Sequence, residues 1–247
     1  MKTVHLKIKR QESPRHKPYW EEFRIPYRPN QNVVSALMYI QKNPVNLKGE
    51  QTTPVVWESN CLEEVCGACT MIINGKARQA CTALLDSLQQ PIVLEPLSKF
   101  PLVKDLMVDR EALFAALRKV KAWVEIDGTY DLGPGLRQFD SLQEFRYKLS
   151  RCMTCGVCAE VCPNFNSKTD FLGPAAVGQA HLFNLHPVGQ NGKKDRLRAL
   201  MGPGGIMECG NAQNCVQACP KGLPLTTSLA ELKKQVAWQA AKSLFIE

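Results

Sequence analysis

The sequence has no apolar run long enough to cross a membrane. A membrane-spanning helix needs about 20 consecutive apolar residues, and no segment of the 247-residue chain provides them. The first ten residues alternate apolar Val4, Leu6 and Ile8 with polar side chains, which is typical of a strand and differs from the apolar core of a secretion signal. We therefore expect a soluble or peripheral protein of the cytosol.

Motifs for nucleotide binding and covalent catalysis are also missing. The chain has no glycine-rich dinucleotide fingerprint, no phosphate-binding loop and no convincing pair of nucleophile and base. Histidine is scarce, and a Rieske centre would need two histidines in place of cysteine ligands. We interpret all four histidines as ordinary structural residues: His5, His16, His181 and His186. No catalytic residue is predicted in this chain.

Cysteine, in contrast, is abundant, with eleven residues in tight clusters. Those in the second half form two runs with the same offsets. The first run is Cys152, Cys155, Cys158 and Cys162 before Pro163, and the second is Cys209, Ala212, Cys215 and Cys219 before Pro220. The spacing C-x2-C-x2-C-x3-C-P is typical of bacterial ferredoxins, in which the fourth cysteine of each run binds the other run's cluster. The repeat predicts two iron-sulfur clusters with exchanged ligands.

This exchange leaves one predicted cluster with four ligands and the other with three. A [4Fe-4S] cluster is expected on Cys152, Cys155, Cys158 and Cys219. The remaining thiolates form a site of Cys162, Cys209 and Cys215. Because the corner that faces Ala212 has no protein ligand, this second site suits a [3Fe-4S] cluster. The pattern indicates a protein that conducts electrons.

The first half carries a third cysteine array, which consists of Cys61, Cys66, Cys69 and Cys81. The spacing C-x4-C-x2-C with a distant fourth cysteine is typical of plant-type ferredoxins and predicts a [2Fe-2S] cluster. Gly67 lies between two of these ligands, where a bare backbone lets amide groups point at sulfur; its other interpretation is a tight turn. Three clusters in one chain predict a linear path along which electrons pass one at a time.

Other uses of so much cysteine are less consistent with the pattern. Disulfides are disfavoured because the cysteine count is odd and every cysteine lies in a cluster with metal-ligand spacing. Zinc sites, which would make a stapled interaction module, use paired C-x2-C knuckles. Ala212 also permits a hydratase, in which an iron without a protein ligand acts as a Lewis acid. Two additional clusters would have no use in such an enzyme.

The formal net charge of +8 would ordinarily suggest nucleic acid or an anionic membrane as a partner. Three oxidised clusters with their thiolates contribute about −6, which leaves a holoprotein of about +2. The basic excess therefore mostly balances the clusters, and no nucleic acid partner is expected. A short basic run is interpreted as a solvated face: Lys193, Lys194, Arg196 and Arg198.

Hydrophobic periodicity predicts a mixed sheet with one helix in the first hundred residues. Strands are expected at Val4–Ile8, Glu22–Pro26, Thr70–Ile73 and Ile92–Leu94, with a helix at Val33–Gln41 and a turn at Asn74–Gly75. The later chain is predicted to be helical segments and loops. A helix is expected with the apolar face Leu113, Leu117, Val120 and Val124, followed by a glycine-rich stretch at Gly128–Gly135. Ser141 and Glu144 form a capping-box pattern that opens a helix through Leu149. A closing helix is expected at about Thr227–Leu244, and its apolar stripe is predicted to pack on the core: Leu229, Leu232, Val236, Ala240 and Leu244.

Taken together, the three arrays closely resemble the iron-sulfur subunits of succinate dehydrogenase and fumarate reductase over nearly the full length. The resemblance extends to Asn74-Gly75-Lys76, Pro96–Asp109, Asp170–Pro174 and Cys219–Pro224. It implies an α+β protein with an N-terminal β-grasp plant-type ferredoxin domain (1–110), a connector (111–138) and a C-terminal α-helical bacterial-ferredoxin-like domain (139–247).

The resemblance also implies the partners and the direction of electron flow. They are an FAD-containing flavoprotein subunit that handles succinate and fumarate, a membrane-anchor cytochrome b subunit and a quinone. Electrons would pass from FAD through [2Fe-2S], [4Fe-4S] and [3Fe-4S] to the quinone, with the chain held at the cytoplasmic face of the cell membrane. Succinate oxidation is favoured; the alternatives are a quinol:fumarate reductase or the iron-sulfur subunit of another flavin dehydrogenase.

Two departures from the family pattern bear on function. The first loop is usually Cys-Arg-x-Gly-x-Cys, whereas Cys61–Cys66 reads CLEEVC, so it lacks its glycine and gains acid. Either a lower potential of the first cluster or a purely structural substitution is consistent with this change. Ubiquinone-linked relatives place tryptophan and histidine where this chain has Asn166, Ser167 and Gly210. The chain therefore resembles the Gram-positive branch, with a dihaem anchor and menaquinone.

Overall fold

The computed structural model describes residues 2–125 and 137–245. Contacts within the chain define two compact units, one of Met1–Arg110 with Met153–Glu160 and one of Glu111–Cys152 with Val161–Glu247. The predicted glycine-rich stretch Gly128–Gly135 lies outside the described residues, and the predicted domain boundaries remain a prediction. Among the helices that are described, none is long and apolar enough to cross a membrane.

The first unit is built on a five-stranded mixed sheet with the order β2-β1-β5-β3-β4. Its strands are β1 (Thr3–Arg10), β2 (Tyr19–Pro26), β3 (Thr70–Ile73), β4 (Lys76–Gln79) and β5 (Ile92–Glu95). β1 runs antiparallel to β2 and parallel to β5, and β3 runs antiparallel to both β4 and β5. The four predicted strands are confirmed. A small hairpin, β6 (Leu102–Lys104) and β7 (Met107–Val108), follows.

One helix covers the core side of this sheet. Helix α1 (Val33–Lys42) buries an apolar stripe that includes Val33, Leu37 and Ile40, as its periodicity predicted. The stripe packs with the inward-facing side chains of β1, all almost fully buried. Asn32 caps the helix, because Ser35 N donates to Asn32 Oδ1 at 2.8 Å and Asn32 N donates to Ser35 Oγ at 3.0 Å. This capping box fixes where α1 begins.

A buried ion network ties the hairpin to β1. Arg10 is 1% exposed, and its Nε donates to Asp105 Oδ1 at 2.9 Å, while its Nη1 donates to Glu21. Asp105 also accepts the backbone amides of Gln11 at 3.1 Å and Val56 at 3.0 Å. Every charge in the network therefore has an opposite charge or a hydrogen-bond donor beside it, which a buried ion requires.

The second unit is helical, as predicted. Its described helices are α2 (Glu111–Lys119), α3 (Asp140–Ser150), α5 (Pro174–Leu185), α6 (Lys193–Met201), α7 (Asn214–Gln217) and α8 (Leu225–Phe245), while the short α4 (Val157–Glu160) belongs to the first unit. Helix α5 packs against α2, α3, α6 and α8. Leu229, Leu232 and Val236 of α8 are buried in this core and Ala240 is partly buried, so the predicted packing is confirmed for the first three; the Leu244 side chain lies outside the described ones.

Three local predictions are wrong. Helix α3 begins at Asp140, two residues earlier than a cap at Ser141 predicts, so Ser141 lies inside its first turn and no side chain caps the helix. Val124 lies beyond the end of α2, although Val120 is fully buried. Arg196 is 2% exposed and is not part of a solvated face.

The buried Arg196 guanidinium bonds to backbone carbonyls. Its Nε donates to Lys121 O at 2.9 Å, and its other nitrogens donate to Trp123 O at 2.8 Å and Gly189 O at 2.6 Å. The side chain also lies over the Phe183 ring at 5.8 Å. Burial lowers the Arg196 pKa. This side chain holds the segment after α2 onto the helical core.

Candidate iron-sulfur sites

Backbone amides of the first cysteine loop converge on one sulfur. Cys61 Sγ accepts from Val65 N and Cys66 N at 3.3 Å and from Glu63 N at 3.5 Å. These donors lower the Cys61 pKa from 9.0 to about 7. A thiolate is the form that binds iron, and amide donors to a ligand sulfur stabilise it. The loop is therefore shaped for an anionic sulfur.

Two residues of this loop adopt the left-handed conformation that turns the amides inward. Leu62 has φ of 63° and Glu64 has φ of 59°. Left-handed backbone costs a residue other than glycine about 1 kcal/mol. Glu64 occupies the place where the family pattern has glycine, and its Oε1 accepts from Thr82 Oγ1 at 2.8 Å. The Glu64 carboxylate thus forms a hydrogen bond to Thr82 that glycine could not form.

The other two cysteines of this array lie at the edge of the sheet. Cys69 immediately precedes β3 and Cys81 follows β4, and they are 4% and 6% exposed. Burial raises the Cys69 pKa to about 11. The Glu64–Thr82 hydrogen bond joins the exposed loop to the residue after Cys81. The structure therefore brings all four predicted [2Fe-2S] ligands into one region of the first unit.

Both interpretations of Gly67 agree with the structure, and close packing adds a further reason for glycine. The peptide after Gly67 points an amide at sulfur, because Ala68 N donates to Cys66 Sγ at 3.4 Å; Cys61 N donates to the same sulfur at 3.5 Å. Gly67 has φ of 70°, and a Cβ built on it would lie 2.7 Å from both Cα and Cβ of Cys155. Glycine is required here for its conformation and because another backbone approaches it closely.

The predicted [4Fe-4S] ligands belong to two parts of the chain. Cys155 and Cys158 lie in the segment that packs within the first unit, and Cys152 and Cys219 belong to the second unit. The segment turns through Thr154 and Gly156, whose φ angles are 49° and 89°. This four-cysteine ligand set remains a prediction.

The three cysteines of the predicted [3Fe-4S] site line one cavity of the second unit together with Ala212. Cys162, Cys209 and Cys215 are buried or partly buried. Burial raises the Cys215 pKa, and so do the nearby Cys162 and Cys209. Asn211 and Gln213, on either side of Ala212, both have left-handed backbone. The Ala212 methyl group lies where a fourth thiolate would otherwise reach the cavity.

The cysteines fit iron-sulfur clusters better than the alternatives. All eleven are free, so none forms a disulfide. Within residues 2–125 and 137–245, no group of three or more His, Cys, Asp or Glu side chains is placed to hold a metal ion. In a [4Fe-4S] or [3Fe-4S] cluster each thiolate binds a different iron, so these thiolates stand farther apart than those of one zinc ion, whose Zn–S bonds are about 2.3 Å.

Gly210, a position where the chain departs from the family pattern, lies against the side chain of Asn164. Gly210 N donates to Asn164 Oδ1 at 3.3 Å, and a Cβ at Gly210 would lie 2.9 Å from that oxygen. Asn166 donates to Pro163 O at 2.8 Å. A larger side chain at 210 would have to displace Asn164. The Asn164 side chain therefore takes the space directly beside Gly210.

Sequence reasoning missed three polar residues that hold the cysteine segments. They are Thr82, whose hydroxyl donates to Glu64, Arg110, which donates to Gly67 O at 2.8 Å, and Glu160, which accepts Ser98 N at 3.0 Å and Lys99 N at 3.2 Å. The only available signal for Glu160 was an acid between two cysteines. None of these residues has a ligand-like spacing of its own.

Comparisons with known proteins agree with this geometry. Residues 5–115 match the family of 2Fe-2S iron-sulfur cluster binding domains, and residues 148–223 match the 4Fe-4S dicluster domain. The fold resembles a chain of the Mycobacterium smegmatis Sdh1 complex in the apo form, with a TM-score of 0.78 at 20% identity over 95% of each chain. The α+β architecture is therefore confirmed.

Relatives in sequence identify the family. The chain is 60% identical to the succinate dehydrogenase iron-sulfur subunit of Bacillus subtilis, over 99% of this chain and 96% of the relative. It is 33% identical to the fumarate reductase iron-sulfur subunit of Mycobacterium tuberculosis, over 92% and 90%. The cysteine pattern and both domain matches fit the predicted cofactors, which are a [2Fe-2S], a [4Fe-4S] and a [3Fe-4S] cluster. This chain belongs to the family of iron-sulfur subunits of succinate dehydrogenase and fumarate reductase.

Proposed function

We propose that this chain passes electrons, one at a time, between the FAD of a succinate-oxidising flavoprotein subunit and a membrane quinone. The observation that carries the proposal is the presence of three cysteine arrays in one chain that is 60% identical to a succinate dehydrogenase iron-sulfur subunit. When bound, the clusters supply reversible one-electron chemistry. The chain has no substrate site of its own in this proposal.

Each array has a separate part in this proposal. The [2Fe-2S] ligands are Cys61, Cys66, Cys69 and Cys81; the [4Fe-4S] ligands are Cys152, Cys155, Cys158 and Cys219; the [3Fe-4S] ligands are Cys162, Cys209 and Cys215. The amides around Cys61 lower its pKa and so favour the thiolate that binds iron. Cys162, Cys209 and Cys215 line one cavity together with Ala212, and no fourth cysteine is among the described residues that line it.

The partners follow from the same family. We propose a flavoprotein subunit and a membrane-anchor cytochrome b subunit, dihaem in type, with the chain at the cytoplasmic face of the membrane. Gly210 supports menaquinone as the quinone, because glycine stands here in place of the histidine of ubiquinone-linked relatives and its amide donates to Asn164 instead. Asn166 and Ser167 stand where those relatives have tryptophan.

Cluster content and reduction by succinate test this proposal. Iron and sulfide analysis of the purified complex should give about nine irons, from two, four and three per cluster. EPR during a redox titration should resolve three centres, and succinate should reduce at least one of them. Bound zinc without cluster signals, or clusters that succinate cannot reduce, would contradict the proposal.

The role of Ala212 has its own test. Ala212→Cys should add a fourth thiolate, convert the three-iron centre toward [4Fe-4S] and lower its potential. Ala212→Ser is the matched control, because it changes the size of the side chain little and adds no thiolate. An unchanged three-iron EPR signal in the cysteine variant would contradict the assignment of position 212 to the open corner.

Quinol:fumarate reduction is the second candidate, and it rests on the 33% identity to a fumarate reductase subunit. The two directions differ in the rates of the intact complex. Faster fumarate reduction with menaquinol than succinate oxidation with menaquinone would favour this candidate.

A further inference from the structure

Two cysteine segments touch inside the first unit at Gly67 and Cys155. A Cβ built on Gly67 would lie 2.7 Å from Cα and Cβ of Cys155 and 3.1 Å from Met153 O. Gly67 lies between two predicted [2Fe-2S] ligands, and Cys155 is a predicted [4Fe-4S] ligand. The backbones of the two loops are therefore in van der Waals contact, with no side chain between them.

The Gly67 side of this contact is fixed by hydrogen bonds to its carbonyl. Arg110 Nη1 donates to Gly67 O at 2.8 Å, and Thr70 Oγ1 donates to the same oxygen at 2.7 Å. Arg110 Nη2 also donates to Glu58 Oε2 at 3.3 Å, and its side chain is 17% exposed. Arg110 is thus a partly buried charge whose guanidinium holds the peptide after Gly67 in one orientation.

The Cys155 side is fixed by a carboxylate at the end of the same segment. Glu160 accepts Ser98 N at 3.0 Å and Lys99 N at 3.2 Å, and it also accepts the Ser98 hydroxyl. Hydrogen bonds to an ionised carboxylate are about twice as strong as neutral ones. Three such bonds hold the segment that carries Cys155 and Cys158 against the sheet unit.

We propose that the Gly67–Cys155 contact is the crossing point for electrons between the first two clusters, and that Arg110 and Glu160 are positioning residues for it. This inference rests on the proposed function and on the proposed ligand sets. In the step, one electron crosses the contact, so the [2Fe-2S] centre is oxidised by one electron and the [4Fe-4S] centre is reduced by one. No covalent bond changes and no proton is transferred.

The physical reason is the steep dependence of electron tunnelling on distance. A bare glycine lets the two loops meet at the shortest separation that backbones allow. Arg110 acts through the Gly67 peptide, and Glu160 acts through the 98–99 loop. Loss of either set of hydrogen bonds should let the contact open and should slow electron transfer, while the ligands themselves stay the same.

The test compares variants in the purified complex with its clusters bound. In Arg110→Met and Glu160→Gln, electron transfer to the [4Fe-4S] centre after photochemical reduction of the complex should be severalfold slower. The spin–spin interaction between the two reduced centres in EPR should also weaken. Arg110→Lys should recover part of both signals, because an ammonium group keeps one donor for Gly67 O. Gly67→Ala should have the largest effect.

The controls separate position from cluster loss. Arg15→Met changes an exposed side chain of the first unit outside the cysteine loops and should leave transfer and spin interaction at parental values. Iron content of about nine in each variant shows that the ligands are filled. If Arg110→Met and Glu160→Gln both match the parent in transfer rate and spin interaction, this inference is wrong. Failure of the proposed function would show earlier, as missing clusters or no reduction by succinate in the parent complex.

Discussion

The two units stabilise buried charge in different ways. In the first unit, Arg10 pairs with Asp105 and Glu21, and the Cys61 sulfur collects three backbone amides. In the second unit, Arg196 bonds to backbone carbonyls, and Cys215 lies in an apolar cavity beside two other thiols. Accordingly, the charged forms are favoured in the first unit, where the Arg10 pKa is raised and the Cys61 pKa is lowered. They are disfavoured in the second unit, where the Arg196 pKa is lowered and the Cys215 pKa is raised.

This difference indicates how each unit depends on its metal. The Cys61 loop favours a thiolate before iron binds, because its donors belong to the polypeptide. The cavity of the second unit disfavours a thiolate until iron neutralises it, and metal binding there must release protons. The polypeptide therefore prepares the Cys61 end of the first site, whereas the buried thiols, Cys69 in the first site and Cys215 in the second, depend on iron to become thiolates.

The largest expected effect comes from serine substitutions at the two sites. Cys215→Ser should abolish the three-iron EPR signal, because burial disfavours the ionised form at this position and a hydroxyl ionises far less readily than a thiol. Cys61→Ser should retain a detectable [2Fe-2S] signal, because the same amides can donate to an oxygen ligand. EPR amplitude per iron checks both variants. Equal loss in the two variants would contradict the comparison.

Removal of the buried guanidinium groups should have the next largest effect. Arg10→Met leaves the 1%-exposed Asp105 without its opposite charge, and we expect about 4 kcal/mol of lost stability in the first unit. Arg196→Met leaves only neutral carbonyls without a donor, and we expect about 2 kcal/mol in the second unit. Denaturant unfolding followed by hydrogen exchange gives the loss in each unit.

Matched controls for these variants are Arg15→Met and Arg151→Met, since both side chains are exposed. Each should change stability by less than about 0.5 kcal/mol. A larger loss from Arg196→Met than from Arg10→Met would reverse the conclusion that carboxylate pairing matters more.

The second unit should also be the more acid-sensitive through His181. This side chain is 3% exposed, its Nδ1 lies 2.9 Å from Ser228 Oγ, and burial lowers its pKa from 6.5 to about 4. Between these two pKa values the unfolded state binds more protons, so stability falls as pH drops from about 6.5 to about 4. We expect a loss of about 2 kcal/mol between pH 7 and pH 5.

The check on His181 is a comparison of pH profiles. His181→Asn keeps a hydrogen-bonding group for Ser228 but does not titrate, so its profile should be flatter than that of the parent by this amount. Exchange in the first unit serves as the internal reference. Parallel profiles for parent and variant would show that His181 does not set the acid sensitivity.

The smallest expected effect concerns the left-handed residues of the two cysteine loops. Gln213→Gly, beside Ala212, should stabilise the second unit by about 1 kcal/mol, because it removes the cost of φ at 63°. Glu64→Gly should gain less, since it also removes the hydrogen bond to Thr82. Glu63→Gly, at a residue without positive φ, should destabilise the loop. Thermal unfolding of the three variants ranks them, and a larger gain at Glu64 than at Gln213 would show that the Thr82 tie contributes nothing.

Local patterns predicted the elements whose causes are local. The bounds of β3 match the prediction at Thr70–Ile73, because an apolar run ends at the Asn74–Gly75 turn. Strand β4, Lys76–Gln79, was not predicted, because its residues are mostly polar and pairing with β3 makes it a strand. Likewise, the capping box at Asn32 uses serine at its third position, whereas the usual pattern has Glu or Gln.

The sites divide in the same way. The spacing of the cysteines predicted three arrays and the odd place of Ala212, because cluster ligation imposes a spacing. The buried position of Arg196 and the approach of Cys155 to Gly67 depend on packing between segments about 75 and 90 residues apart. A basic run and an isolated glycine carry no sign of such partners.

Met153–Glu160 packs within the first unit although it lies far along the chain, and this affects the order in which the units can fold during synthesis. This segment emerges from the ribosome after residues 111–152, which belong to the other unit. The first unit is therefore complete only after Met153–Glu160 has been synthesised, because this segment covers Gly67 and the 98–99 loop. A fragment that stops at residue 110 would expose these surfaces to solvent. Truncation at the apparent end of the ferredoxin-like fold therefore removes a segment, Met153–Glu160, that packs within this unit.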